Sequence, residues 1–410
     1  MEESRRELVE LLKKLVSVRS VVRIEDGKVV REGYREAADL IAEEASRAGL
    51  RVDTLELGSE DGRVPVVMAW PEVEAEGDLA LVSHYDVVPA RESWTVEGRE
   101  VDPFEPVLVG DKLYGRGAAD DKSAVAASIV ALKEAVEEGR EFKHKPVIVV
   151  TGDEEVGLLG VRALLDAGYK WDRAVILDAS ADYVSIGASG VIHGWVKIYG
   201  RRGHAGYPHL AENPVTKLAK VMEYMIREYG AVRSRRISRF PSPPGSPVPR
   251  VWGRFNFTIV KLGEGEAEKH NIIPGEAVAG FDARLLPEED VEEALRELLE
   301  YFSAALDYAG ARGSVEIVTS GRGWYSTDEG LVEEAVGALE RALAKTGVEQ
   351  PIRTAAELGG NDGTFFFLRG IPVVAFGAMR DDNNVHGDGE FVYVRDLVLL
   401  KEFIKELVSR

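Results

Sequence analysis

Apolar residues in the first 50 positions recur at helical spacing. Leu8, Leu11, Leu12, Leu15 and Val16 form one stripe, which predicts an amphipathic surface helix with a mixed-charge outer face rather than a signal peptide. Ala37, Leu40 and Ile41 mark a second helix over 35–49, stopped near Gly49. Short apolar runs at 65–69, 79–83, 146–151 and 174–177 read as strands. A helix over about 122–138 lies among them, with Val125, Ile129, Leu132 and Val136 at its apolar positions. This alternation predicts an α/β layer structure with helices flanking a sheet.

From about residue 189 the pattern changes. A strand-like stretch at 191–199 is followed by a helix at 213–229, strands at 253–262 and 277–286, and a helix near 290–307. The β-α-β-β-α-β order suits a small ferredoxin-like α+β sheet with two helices on one face. The Pro- and Arg-rich segment 231–250 reads as a long surface loop whose prolines limit its freedom, and its arginines (233, 235, 236, 239 and 250) as a solvated basic patch. A helix at 329–345 and an apolar strand at 372–376 then resume the first pattern. The predicted organisation is one α/β domain over 1–188 and 319–410, interrupted by a smaller domain over 189–318.

Composition narrows the function classes. A chain of 410 residues with 45% hydrophobic and 30% charged positions is a folded protein of more than one domain. The net charge of -20 disfavours nucleic acid and anionic membrane surfaces as partners. No apolar run approaches the roughly 20 residues of a membrane span, so a cytoplasmic location is expected. Cysteine is absent, which removes disulfides, thiolate nucleophiles and Cys-type zinc sites. One glutamine and six asparagines beside abundant Glu and Arg suggest a hot-environment source.

Histidine is scarce, with seven in all, so its neighbourhoods carry information. The strand at 79–83 runs into Ser83-His84-Tyr85-Asp86, where His84 and Asp86 point to one side at a carboxyl edge, the edge at which α/β sheets place ligands. Asp120 and Asp121 stand just before the helix at 122, after Gly115 and Gly117. Asp153, Glu154 and Glu155 follow another strand; three adjacent acids repel one another and call for a positive partner, most economically a metal. Asp178 ends a further strand, and His386 lies in Val385-His386-Gly387-Asp388-Gly389-Glu390. Each alone fits a turn or a cap. Together in one α/β domain they point to a shared metal site.

These segments, in order SHYDVVP (83–89), GRGAADDK (115–122), TGDEE (151–155), GRRGHAGYPH (200–209), NIIPGE (271–276) and VHGDGE (385–390), resemble the co-catalytic zinc amidohydrolases of the M20 peptidase class. That class includes succinyl-diaminopimelate desuccinylase, acetylornithine and acetyl-lysine deacetylases, aminoacylase, and di- and carboxypeptidases. The resemblance implies two divalent ions, Zn2+ in the first place with Co2+ or Mn2+ as alternatives, held by His84 and Asp178 on one side and Glu155 and His386 on the other, with Asp120 bridging. It implies that Asp86 orients His84, that Glu154 is the general base, and that the Asp120–Asp121 peptide is cis. It also makes the inserted domain a lid and dimer contact. There His204 would stabilise the oxyanion, Asn271 and Arg284 would contact substrate with Arg284 clamping a carboxylate, and Gly360 would belong to a Gly-rich substrate loop.

The implied substrate is an N-acyl amino acid or a short peptide, cleaved by a homodimer. Asp178 and Asp121 lean towards the peptidases, whereas Gly206–Pro214 looks like the desuccinylase lid, so the acyl group stays open. A binding protein that has lost catalysis is the alternative from another class, but all five ligands and Glu154 are present. A dinucleotide binder lacks its Gly-x-Gly-x-x-Gly turn. His144 reads as solvated, His193 as structural, and His209 and His270 as neighbours of the lid motifs.

Overall fold

The computed structural model describes residues 2–25, 28–59, 62–157 and 159–410. The chain divides into two compact units: Met1–Ile186 with Ser326–Ala355 and Asn361–Arg410, and Gly187–Tyr325 with Ala356–Gly360.

The first unit is built on a mixed sheet. Its strands include β1 (Arg51–Ser59), β2 (Gly62–Trp70), β3 (Asp78–His84), β4 (Lys145–Thr151), β5 (Arg173–Ile176), β6 (Val184–Ala188) and β7 (Val373–Ala375), lying side by side in the order β6-β7-β5-β3-β4-β2-β1. The central four, β7, β5, β3 and β4, are mutually parallel, and antiparallel strands flank them. Parallel strands covered on both faces read as continuous apolar runs, and Leu79–Val82 and Val147–Val150 are buried at every position. In register, Thr151 of β4 pairs with His84 of β3, and Ile176 of β5 with Val82. The carboxyl ends of the three strands therefore align along one edge.

Helices α1 (Glu2–Ser17), α2 (Tyr34–Arg47), α3 (Lys122–Glu137), α4 (Glu329–Thr346) and α5 (Val394–Val408) contribute to this unit's core. The Leu8, Leu11, Leu12, Leu15 and Val16 stripe is buried, so the N-terminal helix keeps its predicted apolar face. His144, expected in solvent, is buried and 2.9 Å from the Glu334 carboxylate. Among the described residues, no helix is long and apolar enough to cross a membrane.

The second unit holds a four-stranded antiparallel sheet ordered Arg254–Leu262, Glu276–Leu285, Gly190–Tyr199, Arg312–Gly321. Helices Pro214–Tyr224 and Val291–Ala309 pack on it through Leu218, Val221, Leu298 and Phe302. Alternate strand residues (Ala277, Ala279, Phe281, Ala283, Leu285) join that core, as period-two patterning requires. The basic segment is more ordered than a solvated loop. Ile237–Pro241 pairs with Arg250–Trp252 as a hairpin. Arg233 is fully buried, with both terminal nitrogens on Glu289 at 2.5 and 2.7 Å. A buried guanidinium needs such a partner to offset its desolvation, and no spacing rule shows that the partner is 56 residues away.

Candidate metal centre

The aligned strand ends assemble the acids and histidines of the first unit. His84 ends β3; Glu154 and Glu155 follow β4; Asp178 follows β5. Asp120 precedes α3 and His386 precedes α5. Two groups of donor atoms result, His84 with Glu154 and Asp178, and Asp120 with Glu155 and His386, each within 4.8 Å.

Asp120 joins the two groups. Its Oδ1 lies 3.0 Å from His84 Nε2, and its Oδ2 lies 3.1 Å from His386 Nε2. His84 Nε2 is also 3.9 Å from Asp178 Oδ2, and His386 Nε2 is 3.0 Å from Glu155 Oε2. The Asp120–Asp121 peptide is cis, as the resemblance implies. Two imidazoles and several carboxylates brought this close form a donor set suited to divalent ions such as Zn2+, Co2+ or Mn2+.

Asp86 organises the centre from beneath. His84 Nδ1 lies 3.0 Å from the Asp86 carbonyl, an acceptor, which fixes the proton on Nδ1 and turns Nε2 towards the carboxylates. The Asp86 carboxylate accepts the backbone N–H of Glu154 at 3.3 Å and of Glu155 at 3.2 Å. One residue therefore sets a histidine through its carbonyl and both glutamates through its carboxylate.

Electrostatics in the metal-free chain follow from this crowding. Burial pushes the Glu154 carboxyl well up, with the Asp178, Asp362 and Glu155 carboxylates adding to the effect against His84. Burial likewise raises Glu155. Asp120 goes the other way, because His386 and His84 outweigh its burial. His386, bonded by Asp120 and then Glu155, rises to about 10. Burial lowers His84, but Asp120 and Asp86 more than reverse that and hold it well above its usual value.

Asp153 departs from the expectation for the acidic triplet. Its carboxylate does not join either donor group. It takes two bonds from Arg31, Nε to Oδ1 at 2.8 Å and Nη2 to Oδ2 at 2.6 Å, and one from Tyr34 Oη at 3.0 Å. The positive partner of this acid is thus an arginine 122 residues earlier. Asp362 is a further acid near the centre, one to which no sequence motif gives a role. It is 4% exposed, and burial, with Asp86 nearby, raises it to about 7. Its signal in the sequence is the polar end of Gly359-Gly360-Asn361-Asp362, the loop whose glycines the resemblance marks.

The other candidates belong to the second unit. His204 and Asn271 are brought together there, because Gly203–His204 pairs with Ile272–Ile273 and Ala205 N donates to the Asn271 carbonyl at 2.9 Å. His204 is exposed, and its Nδ1 accepts from Gly206 N at 3.0 Å, which leaves the proton on Nε2. Arg284 is bound to Asp282, Nε to Oδ2 at 3.0 Å and Nη2 to Oδ2 at 2.9 Å, and His193 Nε2 meets the same carboxylate at 2.7 Å. Directly opposite Arg284 in the sheet stands Arg254, which no motif singled out. Its Nη2 donates to Ser189 Oγ at 3.0 Å and to the Leu358 carbonyl at 2.9 Å. Gly360 is exposed, and an added Cβ would meet the Ser189 carbonyl at 3.3 Å.

Comparison with known proteins agrees with this geometry. The model of peptidase family M20/M25/M40 matches residues 80–410. The succinyl-diaminopimelate desuccinylase of Methylibium petroleiphilum is 30% identical over 385 residues, covering 90% of this chain and 92% of that protein. The desuccinylase of Thioalkalivibrio sulfidiphilus is 29% identical over 382 residues, again covering 90% and 92%. Among solved structures, an M20 family metallo-carboxypeptidase from Sulfolobus solfataricus superposes with a TM-score of 0.77 at 20% identity, covering 98% of each chain. Human carnosine dipeptidase 1 gives 0.75 at 17% identity, covering 99% and 97%. The fold is thus that of these metallopeptidases, and the chain belongs to the M20/M25/M40 family of hydrolases.

Proposed function

We propose that this chain hydrolyses the amide bond of an N-acyl amino acid bearing a carboxylate, of the N-succinyl-diaminopimelate or N-acetylornithine/lysine type, through two metal ions. The observation that carries the reading is the Asp120 carboxylate, one oxygen on His84 and the other on His386. His84 and Asp178 would hold one ion, Glu155 and His386 the second, and Asp120 would bridge. When bound, a pair of divalent ions, Zn2+ in the first place, supplies Lewis acidity and a hydroxide-like nucleophile near neutral pH.

The chain's own groups do the rest. Glu154 takes the proton from the attacking water and hands it to the leaving amine, work that suits a carboxyl within reach of the His84 and Asp178 donors. Asp86 keeps His84 in the tautomer that offers Nε2. His204, protonated on Nε2, is the oxyanion donor, and such donors are worth about 3–4 kcal/mol elsewhere. Arg284, oriented by Asp282, binds the substrate carboxylate together with Asn271, and the Gly360 loop lies against the substrate. The second unit serves as lid and as the contact of a homodimer.

The desuccinylase relatives favour an acylated diamino acid. Asp178 and Asp121 favour the second reading, a metallo-dipeptidase or carboxypeptidase. Metal stripping, return of Zn2+ or Co2+, and a panel of N-succinyl-diaminopimelate, N-acetylornithine, N-acetyl-lysine, N-acetyl amino acids and dipeptides separate the two. Metal-restored amine release is the expected result and names the branch. Glu154→Gln is expected to abolish turnover with metal content intact; retained turnover removes Glu154 from the mechanism. Two bound ions with no cleavage of any compound would leave a binding protein.

A further inference from the structure

Glu390 closes the last of the sequence motifs and was given no role by it. Its side chain is fully buried. Oε1 accepts three backbone N–H groups from one turn, Gly117 at 3.0 Å, Ala119 at 3.0 Å and Asp120 at 3.2 Å. Oε2 accepts from Arg116 Nη1 at 2.6 Å. Arg116 is 2% exposed, lies over the Trp94 ring, and donates from Nη2 to the carbonyls of His386 at 3.3 Å and Gly387 at 3.1 Å. A buried carboxylate with three N–H donors and a guanidinium is fully satisfied, and charge-assisted bonds of this kind are short and directional.

The ends of this chain of bonds matter more than its number. One end is the amide of Asp120, the other the carbonyl of His386, and these two residues share a donor group with Glu155. Neither Glu390 nor Arg116 belongs to either donor group. We infer that Glu390 and Arg116 are positioning residues that hold Asp120 and His386 in mutual register and thereby set the affinity for the ion shared by Asp120, Glu155 and His386. The opposite group relies on His84 and Asp178, which stand on strand ends and are set by Asp86 and the sheet. The pair therefore acts on one ion more than on the other.

This inference rests on the two-metal reading, and the test keeps the two apart. The full-length protein is stripped of metal and titrated with Co2+ against a competing chelator, following cobalt absorption, and the melting temperature of each metal-free form is recorded. Wild type is compared with Glu390→Gln, Arg116→Lys and Glu134→Gln. Glu134 is a control ion-pair residue outside both donor groups, bonded to Lys401 and Lys405 at 2.7 Å.

In Glu390→Gln one of the two dissociation constants is expected to rise about 10–100-fold, the range for groups that orient metal ligands, with the other changing less because Asp120 alone is common to both ions. Arg116→Lys is expected to shift the same constant, and it decides the matter if Glu390→Gln does not fold. Glu134→Gln is expected to lower the melting temperature and leave both constants alone. The inference is overturned if both constants stay at wild-type values in both site variants. It is equally overturned if the two rise together in step with lost metal-free stability. Wild type that binds fewer than two ions overturns the two-metal reading itself.

Discussion

Arg31 grips Asp153 with two parallel hydrogen bonds, 2.8 and 2.6 Å, immediately upstream of Glu154. Asp153 has φ 66, the left-handed conformation that few non-glycine residues adopt. The ion pair therefore fixes a turn whose next two residues face the candidate metal centre. Arg31→Met leaves a buried carboxylate with only Tyr34, and a stability loss of about 3–5 kcal/mol is expected by denaturant unfolding. The turnover number is expected to fall about tenfold or more with a smaller change in KM, because Glu154 loses its orientation rather than its substrate.

Gly377 tests how the Asp178 segment is held. An added Cβ there would lie 2.2 Å from the Ala179 carbonyl and 2.3 Å from the Leu177 carbonyl, both backbone atoms flanking Asp178. Gly377→Ala must push that segment aside. The expected result is destabilisation of about 1–3 kcal/mol, the usual cost of overpacking, together with weakened binding of one ion in the cobalt titration. A variant with wild-type stability and metal content would show that the segment yields freely.

Protons are expected to leave when metal binds. In the metal-free chain His386 is raised to about 10, so it is imidazolium at pH 8, and His84 is shifted in the same direction by Asp120 and Asp86. A ligating nitrogen must be free of its proton, so loading releases protons and apparent affinity rises with pH until about 10. Calorimetric titration at pH 8 in buffers of different ionisation enthalpy checks the sign: the observed heat is expected to vary with the buffer in the direction of release.

Glu134 governs acid stability away from the centre. Burial raises its pKa, but Lys401, Lys405 and Ser4 outweigh that and bring it to about 2, below the usual 4.5. A depressed folded value contributes stability above the unfolded pKa, and that contribution is lost as pH falls from about 4.5 towards 2. Glu134→Gln is expected to cost about 1–3 kcal/mol at pH 7, moderated by Glu402 and Glu138, which remain on Lys401 and Lys405. Its difference from wild type is expected to shrink as the pH is taken down to 2.

Local signals carried most of the fold. The helix expected over 122–138 is Lys122–Glu137, and the strand at 79–83 is Asp78–His84, because periodicity and strand-end chemistry are properties of short windows. What stayed hidden depends on partners far along the chain. The Asp153 partner lies 122 residues away, and Glu390 reaches Gly117 across 273. The helix Val394–Val408 went unread for a related reason. It buries Lys401 and Lys405 beside its leucines, and those lysines belong inside because acids such as Glu134, far along the chain, meet them.

The placement of β7 has a consequence for chain cleavage. This strand comes from beyond residue 370, yet it lies between β6 and β5, strands formed before residue 190. His386 likewise completes a centre whose other donors all precede residue 180. A protease cut in the hairpin near Gly245 would separate the sequence into two pieces that still share one sheet and one set of ligands. Covalent continuity and an intact candidate metal centre are thus separable in this protein. A nicked molecule would stay whole until denaturant pulled the halves apart.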